Sequence, residues 1–238
     1  MTERSGAVLF VAEIGMNYDA NFDLAYELIR QAKLAGADIA KFQFGWRDKP
    51  GEINCIDAET ARRLRRWCDY WEIEMLASVI TEPALELARA AGLRRSKIAS
   101  RTVRDNPDLC RTILGEGKET FISLGMWDGD EFPFGKPHER LRYIFCRSKY
   151  PTYPEDLAGM PDVFREDGYY GYSDHLHGIE GCLLAVARGA RYVEKHFTLN
   201  RTSSVIRDHV LSATPAEFAE LVTHGRALAR LAAVVRRV

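Results

Sequence analysis

Short apolar runs alternate with amphipathic segments along this chain, and the alternation predicts strands that are separated by helices. The predicted strands are Ala7–Ile14, Asp38–Phe44, Glu74–Val79, Ser96–Ser100, Thr120–Leu124, Leu141–Cys146, Gly171–Ser173 and Tyr192–His196. Helical spacing of apolar residues predicts helices at Asp23–Leu34, Asp57–Trp71, Glu82–Ala91, Asn106–Leu114, Gly178–Arg188 and Thr214–Arg236. Residues 125–140 are so rich in Gly and Pro that we predict a loop there.

Eight strands in 238 residues favour one α/β fold, the (β/α)8 TIM barrel, whose usual length is roughly 250 residues. A doubly wound sheet is the alternative, but it would leave one or two strands over. Such a sheet usually opens with a glycine-rich phosphate turn, which the first turn here, residues 15–18, lacks. No linker, low-complexity stretch or charge block separates a second domain, so we expect a single domain over residues 1–238.

Composition and charge exclude several classes of protein. The chain is 46% hydrophobic and 28% charged, which is typical of a globular protein and not of a fibre or a disordered tail. Lys and Arg total 33 against 34 Asp and Glu, so we expect binding to neither nucleic acid nor an anionic membrane. Five scattered cysteines and the lack of a signal peptide or long apolar run predict reduced thiols in a cytoplasmic protein.

Polar residues collect where the predicted strands end, which is where a TIM barrel carries its chemistry. They are Glu13, Lys41, Gln43, Ser78, Lys97, Ser100, Ser123, Ser148, Ser173, Asp174, His175, Glu194, Lys195 and His196. Singly, a serine after a strand is ordinarily a helix cap or turn residue, and a lysine there is ordinarily a solvated group. Together, lysines and hydroxyls on one rim suit an anion that carries a phosphate.

His175 and His196 form the most specific pair in this set. They end the seventh and eighth predicted strands, which are neighbours in a closed barrel, so both imidazoles can point at one ion. Two His ligands with open positions suit a divalent metal such as Mn²⁺, Fe²⁺, Co²⁺ or Zn²⁺. Two ordinary histidines at the barrel mouth are the alternative interpretation.

Seven segments, taken in order, carry a resemblance to a known family. They are Val11–Asn17, Gly36–Gln43, Ser96–Ser100, Ser123–Met126, Tyr150–Thr152, Gly171–His175 and Val193–Thr198. In sequence and order they resemble the catalytic barrel of the sialic acid synthases, over nearly the whole chain. Members of that family condense phosphoenolpyruvate with N-acetylmannosamine or a related amino sugar and release phosphate. The resemblance therefore implies a transferase of carbohydrate biosynthesis that acts on phosphoenolpyruvate and an aldehyde sugar.

The resemblance also implies a role for each matching residue. His175 and His196 would be the metal ligands, with Mn²⁺ as the expected ion. Substrate-binding residues would be Lys41, Gln43, Ser78, Lys97, Ser100, Ser123, Ser148 and Ser173, the two lysines holding phosphoenolpyruvate. Ser148 stands where many members have asparagine. Glu13, Tyr150 and Asp208 would form the catalytic set, with Glu13 or Asp208 taking a proton from water.

Departures from the family pattern concern the acceptor half of the site. The family commonly reads Lys-Ile-Gly-Ser-Gly-Glu where residues 97–102 read Lys-Ile-Ala-Ser-Arg-Thr, so a glutamate is missing and Arg101 stands in place of glycine. No antifreeze-like domain follows within the 238 residues. We therefore expect an acceptor other than N-acetylmannosamine. A non-catalytic barrel that binds a phosphorylated sugar or acid, and a metal-dependent keto-acid aldolase, remain alternatives. A homodimer stays open, since the family typically pairs barrels.

Overall fold

The barrel predicted from the sequence is present. A computed structural model describes residues 7–47, 49 and 51–235. Eight parallel strands close into one barrel in chain order, each hydrogen-bonded to the next and β8 to β1. The strands are β1 Leu9–Gly15, β2 Ile39–Phe44, β3 Glu74–Val79, β4 Ser96–Ile98, β5 Thr120–Ser123, β6 Leu141–Cys146, β7 Tyr169–Asp174 and β8 Tyr192–His196. The fold is therefore a (β/α)8 TIM barrel, as expected.

Helices follow most of the strands and surround the barrel. Within the described residues they are α1 Phe22–Leu34, α2 Ala58–Tyr70, α3 Glu82–Ala90, α4 Ser100–Asp105, α5 Pro107–Gly115, α6 Glu180–Ala187 and α7 Pro215–Val235. Short 3₁₀ helices occur at Pro154–Leu157 and Arg207–Leu211. As predicted, the loop of residues 125–140 contains no helix. Arg236, the predicted end of the last helix, lies outside the described residues.

The boundaries of four helices follow from side-chain caps. Asn21 accepts hydrogen bonds from the amides of residues 23 and 24, and Asp57 accepts one from the amide of residue 60. Thr81 and Asn106 cap α3 and α5 in the same way. Each cap satisfies an amide that would otherwise lack a partner at the first turn, which fixes where each helix begins.

Several predicted boundaries differ from the observed ones by one or two residues, and two strands show the physical reason. The fourth strand was predicted to extend to Ser100, but β4 ends at Ile98 and Ser100 begins α4. Residues 100–105 have no apolar stripe of helical length, so periodicity alone does not reveal so short a helix. The seventh strand begins at Tyr169, two residues earlier than predicted, because Tyr169 continues the pairing with Tyr143 on β6.

Apolar side chains close the lower part of the barrel interior. Val11, Ile39, Leu76, Phe121, Ile144 and Tyr192 form a cluster of fully buried residues there. The rings of Phe121 and Tyr192 lie 4.5 Å apart between centroids. Since these side chains fill the barrel toward the N-terminal ends of its strands, the space that is open to a ligand lies at the C-terminal ends. A second, larger apolar layer lies between the barrel and its helices.

All five cysteines, each within the described part of the chain, are free thiols. No helix among the described residues has the length and hydropathy needed to cross a membrane.

A fully buried ion pair joins β7 to β8 outside the barrel interior. Lys195 Nζ lies 3.2 Å from Asp174 Oδ2, and neither side chain is exposed. The carboxylate also accepts hydrogen bonds from Tyr172, the amide of Leu176 and Cys182, so Asp174 is extensively hydrogen-bonded. This pair ties the end of β7 to the end of β8, next to His175 and His196.

We predict that Lys195→Met lowers the free energy of unfolding by about 3–5 kcal/mol, because it leaves the Asp174 carboxylate buried without its cation. Urea unfolding followed by circular dichroism measures this change. The control is Arg111→Met, which removes an exposed pair with Asp108 and should change stability by less than about 1 kcal/mol. Equal effects of the two substitutions would show that the buried pair does not stabilise the fold.

Candidate active site

A cavity of about 460 Å³ opens at the C-terminal ends of the strands. It is lined by every residue to which the sequence analysis gave a catalytic, substrate-binding or metal-binding role. These are Glu13, Lys41, Gln43, Ser78, Lys97, Ser100, Ser123, Ser148, Tyr150, Ser173, His175, His196 and Asp208. The barrel therefore brings the predicted residues together in one cavity, and their roles stay predictions.

Four buried charged side chains lie deep in this cavity. Lys41 Nζ is 2.8 Å from Glu13 Oε2 and 3.5 Å from Glu194 Oε1, so it sits between two carboxylates. Lys97 Nζ lies 3.9 Å from the other oxygen of Glu194. Register places Glu13 on β1 directly beside Lys41 on β2 and beside His196 on β8. Alternating strand positions point the four side chains into the barrel.

The pKa values of the two carboxyl groups, Glu13 and Glu194, are shifted in opposite directions. Burial raises the pKa of Glu13 to about 7, with Lys41 opposing this rise and Glu194 adding to it. Burial would also raise the pKa of Glu194, but Lys41 and Lys97 outweigh it and lower that pKa to about 2. Glu194 therefore keeps its negative charge between the lysines, while Glu13 can gain or lose a proton near neutral pH.

Serine hydroxyls position the charged groups. Ser78 accepts a hydrogen bond from Lys41 at 3.1 Å, and Ser123 accepts one from Lys97 at 2.6 Å. Ser173 donates to Glu194 at 2.9 Å. Each hydroxyl comes from a different strand, so donors and acceptors surround the two ammonium groups. An anion that entered the cavity would meet both lysines and these hydroxyls at once.

Ser100 and Ser148 both lie against the backbone of Gly125, which follows β5. Ser100 Oγ accepts a hydrogen bond from the amide of Gly125 at 2.8 Å. A Cβ atom at Gly125 would lie 2.6 Å from Ser148 Oγ and 2.9 Å from the Ser148 amide nitrogen. Only glycine fits this position, because any side chain would displace the Ser148 backbone.

The two histidines are neutral and face one another. Their ring centroids are 5.3 Å apart, and the Tyr150 ring lies 4.1 Å from that of His175. Burial lowers the pKa of each imidazole to about 3. His175 Nδ1 donates to the carbonyl of Arg147 at 2.7 Å, which leaves the lone pair on Nε2.

These imidazoles fit a divalent metal. Among the described residues, the buried His196 Nδ1 has no hydrogen-bond partner, and the carboxylate of Asp208 lies 3.9 Å from it. Neutral imidazoles with unshared lone pairs are common ligands of transition metals. Over the part of the chain that the structure describes, no group of three or more His, Cys, Asp or Glu residues forms a metal cluster. The fit therefore rests on His175 and His196.

Sequence reasoning did not give Glu194 a role, although it noted this residue at a strand end. Glu194 lies at the centre of the charge network, and Tyr192 donates a further hydrogen bond to it. A usable signal was present, because Glu194 is two residues before His196 and must face the same side of the strand. Three further residues at the cavity mouth, Trp46, Arg47 and Arg207, were also missed.

Comparisons with known proteins find the chain similar to sialic acid synthases and related synthases in both sequence and fold. The family model described as the NeuB family matches residues 52–235. The chain is 31% identical to N-acetylneuraminate-9-phosphate synthase of Homo sapiens, covering 92% of this chain and 70% of that protein. It is 28% identical to N,N'-diacetyllegionaminic acid synthase of Campylobacter jejuni, with 92% and 75% covered. The crystal structure of N-acetylneuraminic acid synthetase from Leptospira borgpetersenii with citrate superposes at a TM-score of 0.79, with 27% identity and 94% and 85% covered.

Proposed function

The chain belongs to the NeuB family, and we propose that it condenses phosphoenolpyruvate with the aldehyde of a sugar and releases inorganic phosphate. One observation carries the proposal. Two buried lysines, each hydrogen-bonded to a serine, share a cavity with two neutral histidines. That arrangement suits a substrate pair in which one member is a phosphorylated acid and the other is a carbonyl compound.

Lys41 and Lys97 would bind the phosphoenolpyruvate. This ligand carries about three negative charges near neutrality, one from its carboxylate and up to two from its phosphate. Both ammonium groups are already desolvated and held in place by Glu194. Binding therefore exchanges the hydrogen bonds to Ser78 and Ser123 for bonds to the anion, and leaves the serine hydroxyls free to donate to its oxygens.

His175 and His196 would hold the divalent metal, for which we propose Mn²⁺. When bound, such an ion polarises the aldehyde carbonyl and makes its carbon more electrophilic. The Tyr150 ring, packed on His175, would lie against the sugar and hold the aldehyde over the phosphoenolpyruvate. Positioning of two substrates in this way supplies a large share of the rate enhancement in such reactions.

The proposed reaction makes one carbon–carbon bond and breaks one carbon–oxygen bond. The methylene carbon of phosphoenolpyruvate forms a bond to the aldehyde carbon, and the aldehyde oxygen takes up a proton. Water adds to C2 of the former phosphoenolpyruvate and loses a proton. The bond between C2 and the phosphate oxygen then breaks, the C2 hydroxyl becomes the ketone and its proton passes to the departing phosphate, which yields a 2-keto acid and inorganic phosphate. With its pKa near 7, Glu13 can accept the proton from water and return one at neutral pH.

We predict that phosphate release from phosphoenolpyruvate requires both an aldose and Mn²⁺. A panel of aldoses, sugar phosphates and uronic acids, assayed for released phosphate, tests this. Release without an aldose would indicate a phosphatase instead. Ligand-induced thermal stabilisation without any release would favour a binding protein. Formation of pyruvate from a keto acid without phosphoenolpyruvate would favour an aldolase.

A further inference from the structure

Buried hydrogen bonds join the loop after β1 to the loop after β8. His209 Nε2 lies 2.8 Å from Asp19 Oδ1, and His209 Nδ1 lies 2.7 Å from Thr198 Oγ1. Thr198 and His209 are buried, and the Asp19 side chain is 20% exposed. These three residues, all in the described part of the chain, lie outside the lining of the cavity. The Asp19–His209–Thr198 chain therefore connects two loops without contacting a ligand in the cavity.

The chain holds the His209 ring in one orientation. A carboxylate only accepts hydrogen bonds, so His209 Nε2 donates to Asp19. In the neutral imidazole, Nδ1 then accepts a bond from the Thr198 hydroxyl, whose oxygen accepts one from the amide of Asn200 at 3.0 Å. The second oxygen of Asp19 accepts a bond from Ser203 Oγ at 2.9 Å. Asp19 thus binds the loop after β8 through both of its carboxylate oxygens.

A second connection between the same two loops runs through Asn17. Asn17 Nδ2 donates to the carbonyl of Phe197 and to Ser212 Oγ, each at 3.0 Å. Ser212 Oγ donates in turn to the backbone carbonyl of Asp208 at 2.6 Å. The backbone at Asp208 is therefore held by Ser212 at its carbonyl and by the bonded side chain of its neighbour, His209.

These contacts place the Asp208 carboxylate in the cavity. Its Oδ2 atom lies 3.9 Å from His196 Nδ1, and its Oδ1 atom accepts a hydrogen bond from Arg207 Nε at 3.2 Å. Asp208 belongs to a 3₁₀ helix of five residues, Arg207–Leu211. So short a 3₁₀ segment has poor hydrogen-bond geometry of its own. Its position is therefore set by the contacts with the loop after β1.

We propose that Asn17, Asp19 and His209 are positioning residues, which set the rate of the condensation by holding the Asp208 carboxylate toward the reacting water. The inference rests on the proposed function and on the predicted catalytic role of Asp208. A displacement of about 1 Å at a reacting group can lower a rate about a hundredfold. Loss of this support should therefore lower kcat. It should leave phosphoenolpyruvate binding unchanged, since none of the three residues contacts either lysine that is assigned to that ligand.

Two substitutions at Asp19 form a matched pair. Asp19 has a φ of 50°, which glycine and asparagine adopt more readily than other residues. Asp19→Gly removes both oxygens without adding backbone strain, and Asp19→Asn keeps one oxygen for His209 and an amide for Ser203. We expect Asp19→Gly to lower kcat for phosphate release about tenfold or more. Asp19→Asn should recover most of that loss, and calorimetry should give the same phosphoenolpyruvate affinity for both.

An effect that passes through Asp208 must disappear when Asp208 is absent. Asp208→Ala/Asp19→Gly should therefore have the same kcat as Asp208→Ala alone. Tyr143→Phe is the control for a merely structural loss. It removes the buried hydrogen bonds of Tyr143 to the Phe134 amide and the Gly135 carbonyl, away from the cavity lining. It should lower the free energy of unfolding and leave kcat unchanged.

Full turnover in Asp19→Gly or in Asp208→Ala would overturn the inference, as would losses of kcat that multiply in the double variant. If Asp19→Gly does not fold, Ser212→Ala takes its place with the same expectations. Failure of the wild type to release phosphate with any aldose would instead overturn the proposed function. Hydrogen exchange of residues 206–212 then decides whether Asp19 holds this segment: faster exchange in Asp19→Gly than in Asp19→Asn supports it, and equal exchange overturns it.

Discussion

His196→Ala should lower turnover by at least about a thousandfold and metal affinity by at least about a hundredfold. Residues that only support a metal ligand typically contribute 10- to 100-fold to affinity or activity, and the loss of one of two ligands has a larger effect. The fold should survive, because His196 contributes little to the apolar layers that surround the barrel. Calorimetric titration with Mn²⁺ and steady-state assays of phosphate release measure both effects.

His224→Ala is the matched control, since His224 is exposed on α7 outside the cavity. It should keep metal affinity and turnover. His175→Ala should behave like His196→Ala, and His196→Gln provides a second variant if the alanine protein is unstable. Full metal content and turnover in both His196 variants would show that the metal site is elsewhere.

Lys97→Ala should weaken phosphoenolpyruvate binding by roughly 30- to several-thousand-fold, which corresponds to about 2–5 kcal/mol for the loss of a buried charged contact. Lys97 Nζ is desolvated and faces Ser123 and Glu194. Without it, one anionic group of the ligand would lie beside the Glu194 carboxylate with no cation between them. Calorimetric titration with phosphoenolpyruvate gives the affinity directly.

Lys118→Ala is the control for this substitution. Lys118 pairs with Glu116 just before β5, at the opposite end of the barrel, and its removal should leave the affinity unchanged. Lys41→Ala should weaken binding as Lys97→Ala does. Unchanged affinity in both cavity variants would point to a different ligand.

The periodicity of the sequence was sufficient to predict the fold and to bring the candidate site residues to one end of the barrel. Apolar runs about one strand long, followed by amphipathic segments, define the barrel, and the barrel then places the residues at each strand end in one cavity. This is why His175 and His196, which are 21 positions apart along the chain, could be paired in advance. Lys41 and Lys97 were found by the same rule.

Strand-end positions could not reveal how the charges pair. The central place of Glu194 depends on barrel register and on burial, which together bring it between Lys41 and Lys97. The raised pKa of Glu13 likewise arises mainly from burial. Neither effect is visible in the one-dimensional pattern, because that pattern does not show how deeply a carboxylate at a strand end is buried or which charges it faces.

The contacts of Arg101 and Arg207 at the mouth of the cavity were the hardest features to predict from the sequence. Arg101 attracted attention by its place in a motif, but Trp46, on which it stacks, belongs to another loop with no periodic pattern. Arg207 likewise meets Tyr150 only through the fold. Such loop-to-loop contacts are set by three-dimensional packing and leave no local signal in the sequence.

Transfer of labelled carbon from phosphoenolpyruvate into a sugar-derived product is the most direct test of the proposed condensation. The protein is incubated with Mn²⁺, an aldose and phosphoenolpyruvate that carries carbon-13 in its three-carbon unit, and the products are analysed by mass spectrometry. We predict a 2-keto acid that contains the whole sugar and the whole labelled unit, formed in equal amount to released phosphate. Labelled pyruvate as the sole product, or phosphoenolpyruvate recovered unchanged with every aldose, would contradict it.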